Sequence, residues 1–547
     1  MPVSGPVLPS RDRVREYAIK GAELALRAVG ESPEQRAARR LGPPVAPAGR
    51  PVASAGHDGS AAPRVLFLTP RDWAAHVQYE AVLGRALVTR GAEVRFLTCG
   101  GGLEICDRAN TYEAPPMPCG SCARYVEQSL DAHGFTVHRL ADRWGHDANW
   151  SELDRQSFAA LRDVEHDGLP LGRLVDIPVK WFLCAGDLHG DPLAGVTTRA
   201  FLRSARRIAD AIGRMLDEWK PDTVVMLNGL FVFEAVMWAV CRERGIDVVT
   251  YERAFRKETL VFSRDLPAGF YDFGAAAWAA HDRELDETEA TELDAYLDAR
   301  RRGDAFDQHW SFREWSVEQR PATSRLVVAF TNITWDTAVL DRDAAFADIR
   351  AWIDCLIREF AAQPTHRLVI RVHPSEVRLP MKATRDSLQQ YIDHSWPTLP
   401  TNVSIVAAND TTSSYPLMDA CDIGLVYTST TGLELAMRGK PVVVAGLVHY
   451  RGKGFTNDVS SEVEFVTALR NGLRDPSSLI VDAERARRYA HFFWFRAPVT
   501  AVGVREPLPG LARLTITDDA QLAPGVDAGL DRVCRAILEH TPFVEAA

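Results

Sequence analysis

A chain of 547 residues is too long for one hydrophobic core and suits two large domains with additions. Its 46% apolar and 25% charged residues are ordinary for a folded globular protein, and a formal charge of −10 with no basic block argues against nucleic acid as the main partner. No apolar run reaches the roughly 18 residues needed to span a bilayer, the N-terminus lacks a signal-peptide core, and nine mostly scattered cysteines fit reduced thiols, so a cytoplasmic protein is expected.

Residues 1–62 divide into a predicted helix, Arg11–Val29, and a Pro/Ala/Gly-rich linker or disordered arm, Gly42–Pro63. Arg64–Pro70 then reads as a buried strand, Ala74–Arg90 as an amphipathic helix stopped by Gly91, and Ala92–Thr98 as the next strand. This is a βαβ opening, for which a right-handed crossover is expected. The turn before the helix holds Arg71, Asp72 and Trp73, and His76 lies near the helix start; Asp72 fits an N-cap as well as a site.

Cys99, Cys106, Cys119 and Cys122 follow with the spacing C-x6-C-x12-C-x2-C. Two thiolates spaced C-x2-C chelate one metal ion readily, and two more from a preceding loop complete a tetrahedral set, so a structural zinc site is the leading reading. An iron-sulfur cluster would use the same four ligands and is the less favoured metal; incidental buried cysteines and, least of all, a redox pair stay open.

Tyr125–His133, Ser151–Glu165 and Thr198–Trp219 look helical, with a polar loop at Asp187–Gly190. From Thr223 the alternation resumes: a strand to Leu227, a tight Asn228-Gly229 turn, a helix Phe231–Arg244, and a strand Asp247–Tyr251 that ends at Glu252-Arg253. A charged helix, Leu285–Arg302, lies in a connector. A second alternating series begins with Arg325–Phe330 and the turn Thr331–Asp336, continues through a helix Asp341–Ala362, and reaches a strand Arg367–Val372 whose end carries Arg371, His373 and the stopping Pro374. Val403–Ala407 is a further strand. Ile423–Tyr427 is another, followed by the small, mostly hydroxylated turn Thr428–Gly432, a helical stretch Leu433–Arg438 ended by Gly439, and the strand Val442–Ala445.

Such a turn aims backbone N–H groups and hydroxyls at one place at the positive end of a helix, where a phosphate is bound without a cationic side chain. Helix capping accounts for the same hydroxyls, and His373 alone reads equally as a structural histidine. Ala483–Phe495 and Gly529–Glu539 are predicted helices, with a short strand Ala512–Ile516 between them.

The run R-x-H-P at Arg371–Pro374, followed by D-I-x-L-x-x-x-S-T-x-G-L-E-x-x-x-x-G-K-P-V-V-V from Asp422 and then Gly446, Tyr450 and Gly454-Phe-Thr456, resembles the bacterial capsule polysaccharide biosynthesis proteins, a family that includes Kdo transferases. The resemblance implies an α/β, GT-B-like fold: two facing Rossmann-like α/β/α domains, here with an inserted four-cysteine loop. Residues 63–270 would form the acceptor domain, 271–322 the connector, 323–500 the nucleotide-sugar domain, and 501–547 a tail whose terminal helix returns across the cleft.

The activity implied is transfer of a sugar from a nucleotide-sugar donor to a glycan or lipid-linked acceptor, peripheral to a membrane assembly. Arg371, His373, Ser429, Thr430, Thr431 and Gly432 would hold the donor phosphate, with Asn332 in a loop against the nucleotide; His373 would help stabilise charge on the departing nucleotide. Glu434 would bind a donor hydroxyl or serve as a cap partner, and Lys440 would add charge or lie on the far side of the sheet. Glu252 matches the first position of the family's acidic turn and would be the catalytic base of an inverting transfer, although Arg253 and Ala254 replace the rest of that turn and pairing of Glu252 with Arg253 or Arg256 is the alternative. No Asp-x-Asp metal motif is evident, so catalysis is expected not to require a divalent ion. A nucleotide-sugar 2-epimerase of the same fold and a non-catalytic member of a polysaccharide assembly are the competing functions.

Overall fold

The computed structural model describes residue 46 and residues 61–145, 150–264, 266–303, 321, 323–379, 382–508 and 510–544. The predicted helix Arg11–Val29 and nearly all of the linker Gly42–Pro63 lie outside the described residues.

Short apolar runs bounded by turns become strands buried on both faces, as parallel sheets require. β1 (Arg64–Leu68), β2 (Glu93–Thr98), β3 (Val137–Arg139), β4 (Thr223–Leu227) and β5 (Asp247–Arg253) pair in parallel, and β6 (Thr259–Ser263) runs antiparallel at β5. Alternate residues of β1 serve opposite faces. Val65 and Phe67 pack with α1 (Ala74–Val88) and α2 (Cys119–Ala132), whereas Leu66 and Leu68 pack with α3 (Ala194–Trp219) and α4 (Val232–Arg244).

The second sheet is entirely parallel and contains β7 (Leu326–Phe330), β8 (Arg367–Arg371), β9 (Val403–Val406), β10 (Ile423–Val426), β11 (Val442–Val444) and β12 (Asn457–Asp458). Its order is β12-β11-β10-β7-β8-β9, the Rossmann arrangement, and it reverses between β7 and β10. A connector helix, α5 (Glu287–Arg302), leads into this domain, whose faces are covered by α6 (Ile349–Ala361) and α8 (Glu462–Arg474) on one side and by α7 (Thr431–Met437) and α9 (Ala483–His491) on the other. Two expected helices come out differently. Residues 341–348 run as turns, with Asp341 at φ +57°, and α6 starts only where Asp348 caps the Ala351 N–H. Ser151–Glu165 forms two 3-10 turns, Ser151–Arg155 and Ala159–Asp163, in place of one helix.

The chain then returns to the first domain. β13 (Val499–Thr500) adds to β6 as the outer strand of the first sheet, a small hairpin is made by β14 (Val504–Leu508) and β15 (Leu511–Leu514), and α10 (Ala528–Glu539) packs on α1. Ion pairs fix the return: Arg85 to Asp519 at 2.7 Å and Arg90 to Asp531. The first domain is thus built from two separated stretches of chain, with residues from 499 onward belonging to it.

The domains face each other through polar and aromatic contacts. The Gly186 and Asp187 N–H groups donate to Asp386 at 3.1 and 2.8 Å, Arg385 pairs with Asp191 at 2.8 Å, and the Arg342 guanidinium lies 4.5 Å above the Phe270 ring. A cleft of about 580 Å³ opens between them, with Lys180, His189, Asp343 and Arg350 in its walls.

Candidate active site

The carboxyl ends of β7, β8 and β10 meet where the second sheet reverses order, the place where open α/β sheets bind ligands. Thr331, just past β7, stitches the strand ends together. Its N–H donates to Arg371 O at 3.1 Å, and its hydroxyl accepts from the His373 N–H at 3.0 Å. The His373 ring is fixed in turn: Nδ1 accepts from the Ser375 N–H at 3.2 Å. In the neutral ring the proton therefore sits on Nε2, which has no protein partner among the described residues. Burial, with Arg371 adding to it, pushes His373 down to about 4, so the ring is neutral at physiological pH and presents one directed N–H.

Two further polar atoms here lack partners. Asn332 Oδ1 and Thr428 Oγ1 are sealed from solvent without a hydrogen bond, Thr428 being only 4% exposed at the end of β10. Buried polar atoms left unpaired are costly, and a bound ligand would satisfy both. The predicted hydroxyl turn is partly spent on itself: Ser429 Oγ donates to Thr431 Oγ1 at 3.1 Å and accepts from the Thr431 N–H at 3.3 Å. Tyr450 Oη donates to Ser429 O at 2.7 Å and fills the space over Gly432, where a Cβ would lie 2.0 Å from that oxygen. Thr430 stands at the N-cap position of α7 and makes no side-chain capping bond.

Three charged residues expected at the donor site are committed elsewhere. Arg371 donates to the carbonyls of Ala407 (2.8 Å) and Thr412 (3.0 Å), so it braces the loop after β9. Glu434 forms a buried ion pair with Arg300 of α5, at 2.8 and 3.2 Å, which ties the connector to the second domain. Lys440 Nζ donates to Asp419 O and Cys421 O, on the far-side loop of its alternative reading. Contrary to the expectation that the chain has no Asp-x-Asp motif, Asp341-Arg342-Asp343 has that spacing. Both carboxylates line the interdomain cleft, and Asp343 accepts from Tyr427 Oη.

On the first domain, Glu252 is half-buried at the end of β5. Its Oε2 accepts from Asn228 Nδ2 at 2.9 Å and its Oε1 from the Arg253 N–H at 2.7 Å. The Arg253 side chain pairs with Glu506, and Arg256 lies over the Phe495 ring at 4.3 Å. Burial pushes Glu252 up, and Asp336 from the second domain adds to this while Asn228 opposes it. Asp72 is neither cap nor open site residue: its carboxylate is held by Arg108. The sequence reading also missed a hydrogen-bonded chain in which His76 Nδ1 meets Tyr251 Oη at 3.3 Å, Tyr251 donates to Glu80 Oε1 at 2.8 Å, and Thr69 donates to Glu80 Oε2. Burial pushes Glu80 up to about 8 and His76 down to about 3. The available signal was two polar residues spaced i, i+4 on the inward face of a helix.

All four clustered cysteines line one small cavity between β2, its following loop and α2. Their sulfurs are not drawn into a ligand set: among the described residues, the one group of His, Cys, Asp or Glu whose ligand atoms all lie within 4.8 Å is His166, Asp167 and Asp210.

Residues 281–491 match the family described as capsule polysaccharide biosynthesis protein. The capsule-family segment takes in the whole connector helix α5 and most of the second domain, less than half of the chain, and bears out the resemblance carried by the motif from Arg371 to Thr456. No curated protein matches in sequence. Among solved structures the chain is similar to the KpsC beta Kdo 2,7 transferase of Thermosulfurimonas dismutans, with 13% identity, 56% of this chain and 85% of that chain covered, and a TM-score of 0.33. It is also similar to the UDP-GlcNAc 2-epimerase of Neisseria meningitidis bound to UDP-GlcNAc (12%, 78% and 97%, 0.25) and to the glycosyltransferase SnogD of Streptomyces nogalater (14%, 81% and 97%, 0.23). These likenesses are too distant to carry an argument about chemistry.

Proposed function

We propose that this chain is a glycosyltransferase of surface or capsular polysaccharide biosynthesis that uses a nucleotide-sugar donor and a glycan or lipid-linked acceptor. The observation that carries this reading is His373: a neutral ring, its Nδ1 tied down and its Nε2–H unpartnered, at the strand ends where the second sheet reverses order, inside the segment that matches the capsule family. A directed N–H there stabilises the charge that develops on the nucleotide phosphate as the sugar departs. Asn332, Thr428 and the Ser429–Thr431 turn supply the remaining polar contacts, with Arg371 bracing them from beneath.

Glu252 is the base that takes the acceptor hydroxyl proton in a single inverting displacement. Burial raises its proton affinity, and Asn228 holds it in place. The transfer is taken to need no divalent cation, and EDTA should leave turnover intact. No helix among the described residues is long and apolar enough to cross a membrane, so contact with a membrane assembly would be peripheral, on the cytoplasmic face where nucleotide sugars are available.

The test is a thermal-shift panel of nucleotides and sugar nucleotides on the wild type and His373→Ala. A ligand at a hundred times its Kd adds about 2.7 kcal/mol of apparent stability. One nucleotide class should stabilise the wild type and fail on the variant. If no nucleotide shifts the wild type, the donor-site reading is wrong.

A further inference from the structure

All nine cysteines are free thiols. Five are sealed singly, each in a different hydrophobic cluster: Cys241, Cys534, Cys355, Cys421 and Cys184. The other four come from three pieces of chain and converge on one cavity of about 20 Å³. We propose that Cys99, Cys106, Cys119 and Cys122 bind one zinc ion as a tetrathiolate, and that this ion holds Asp107 and Arg108 against the turn that follows β1.

The backbone around the cavity is shaped for close approach of sulfur ligands. Cys99 is followed by three glycines with φ of +75°, +91° and +90°, which fold the chain back so that the Gly101 N–H points at Cys99 Sγ from 3.3 Å. A Cβ on Gly101 would sit 3.3 Å from the Cys119 Cβ, so this loop packs directly on the first turn of α2. That turn carries Cys119 and Cys122, and Cys106 closes the remaining side. Zinc binds four thiolates at about 2.3 Å, so the sulfurs must swing inward about bonds that already face the cavity. Each thiol releases its proton to solvent as its Zn–S bond forms.

The ion would act on the cleft through the two residues after Cys106. Asp107 faces Arg71 at 3.4 Å and accepts from the Val232 N–H at 2.9 Å, and Arg108 holds Asp72. Arg71 in turn stacks on Trp73 at 4.4 Å. The cysteine loop therefore supplies the partner of Asp72 and, beside Glu234 of α4, one of the two carboxylates around Arg71, and removing the ion would loosen the Asp72 side of the turn leading to His76 while Glu234 still holds Arg71.

The test uses the full chain purified without a metal-chelating tag. Elemental analysis should find one zinc per chain, and replacement by cobalt(II) should give the intense thiolate-to-cobalt bands and visible transitions of a tetrahedral tetrathiolate site. Cys119→Ser and Cys122→Ser should lose that spectrum, whereas Cys241→Ser should keep it. Hydrogen exchange after zinc removal should rise in residues 99–124 and 70–76. The proposal is overturned if the wild-type chain takes up cobalt without thiolate bands, if it binds no metal with all four thiols reduced, or if mass analysis finds these cysteines joined as disulfides. None of these readouts depends on sugar transfer.

Discussion

Truncating Glu434 separates two roles for that residue. The Arg300 and Glu434 side chains are only 4% and 5% exposed, and the pair at 2.8 and 3.2 Å is the charged link between α5 and α7. The guanidinium also sits 5.2 Å over the Trp494 ring. Glu434→Ala leaves that cation buried without its carboxylate, which costs about 3–5 kcal/mol. Replacing both partners with methionine removes the uncompensated charge, and buried pairs exchanged in this way are often neutral or stabilising. Urea unfolding followed by circular dichroism should thus give a large loss for Glu434→Ala, a comparable loss for Arg300→Met, and a double variant more stable than either single one. The sugar-nucleotide thermal shift should survive in the double variant. Loss of less than about 1 kcal/mol in Glu434→Ala, together with disappearance of the sugar-nucleotide shift, would refute the structural role and restore Glu434 to the donor site.

Other consequences are as sharp. Gly432→Ala should push Tyr450 off Ser429 O and cost about 1–3 kcal/mol with loss of nucleotide binding; Gly439→Ala, at φ +69° with open space around it, should cost only about 1 kcal/mol and leave binding intact. Glu80 has a native pKa of about 8 against 4.5 in the unfolded chain, so the folded state holds its proton more tightly. Its contribution is complete below pH 4.5 and is lost as pH rises through 8, and Glu80→Gln should gain on the wild type by about 1.4 kcal/mol per pH unit across that window. Parallel stability curves for the two proteins from pH 5 to 9 would rule this out. His373 shifts the other way, from 6.5 to about 4: its contribution is present above pH 6.5 and is lost as pH falls through 4, by up to about 3 kcal/mol in all, and His373→Gln should flatten that acid limb.

The strands were legible because parallel, doubly covered strands read as continuous apolar runs, as in Thr223–Leu227 and Ile423–Val426, each bounded by turn residues. The strand ends carrying His373, Glu252 and Asn332 were found the same way. What the sequence could not show was which polar groups are already taken. Arg371 is held by carbonyls up to 41 residues away and Glu434 by a guanidinium 134 residues away, and nothing local marks either partner. The Tyr251–Glu80 link spans 171 residues and was invisible for the same reason. Asp341–Asp348 looked helical because its composition suits a helix, and only the φ of Asp341 and the cap at Asp348 reveal a loop that lines the cleft.

The interleaving of the two domains has a consequence for their motion and assembly. Because Val499–Thr500 is the outermost strand of a sheet that begins at Arg64, the first domain cannot complete its edge until the chain through Thr500 has left the ribosome. The second domain, encoded between the two halves, is available to fold earlier. Once assembled, the halves of the molecule are joined by two strands of backbone instead of one, a paired tether that permits bending about the line joining the crossings and resists twisting around it. Opening for substrate would then follow a single arc, and deleting the last 50 or so residues would free the twist as well as uncover the sheet edge.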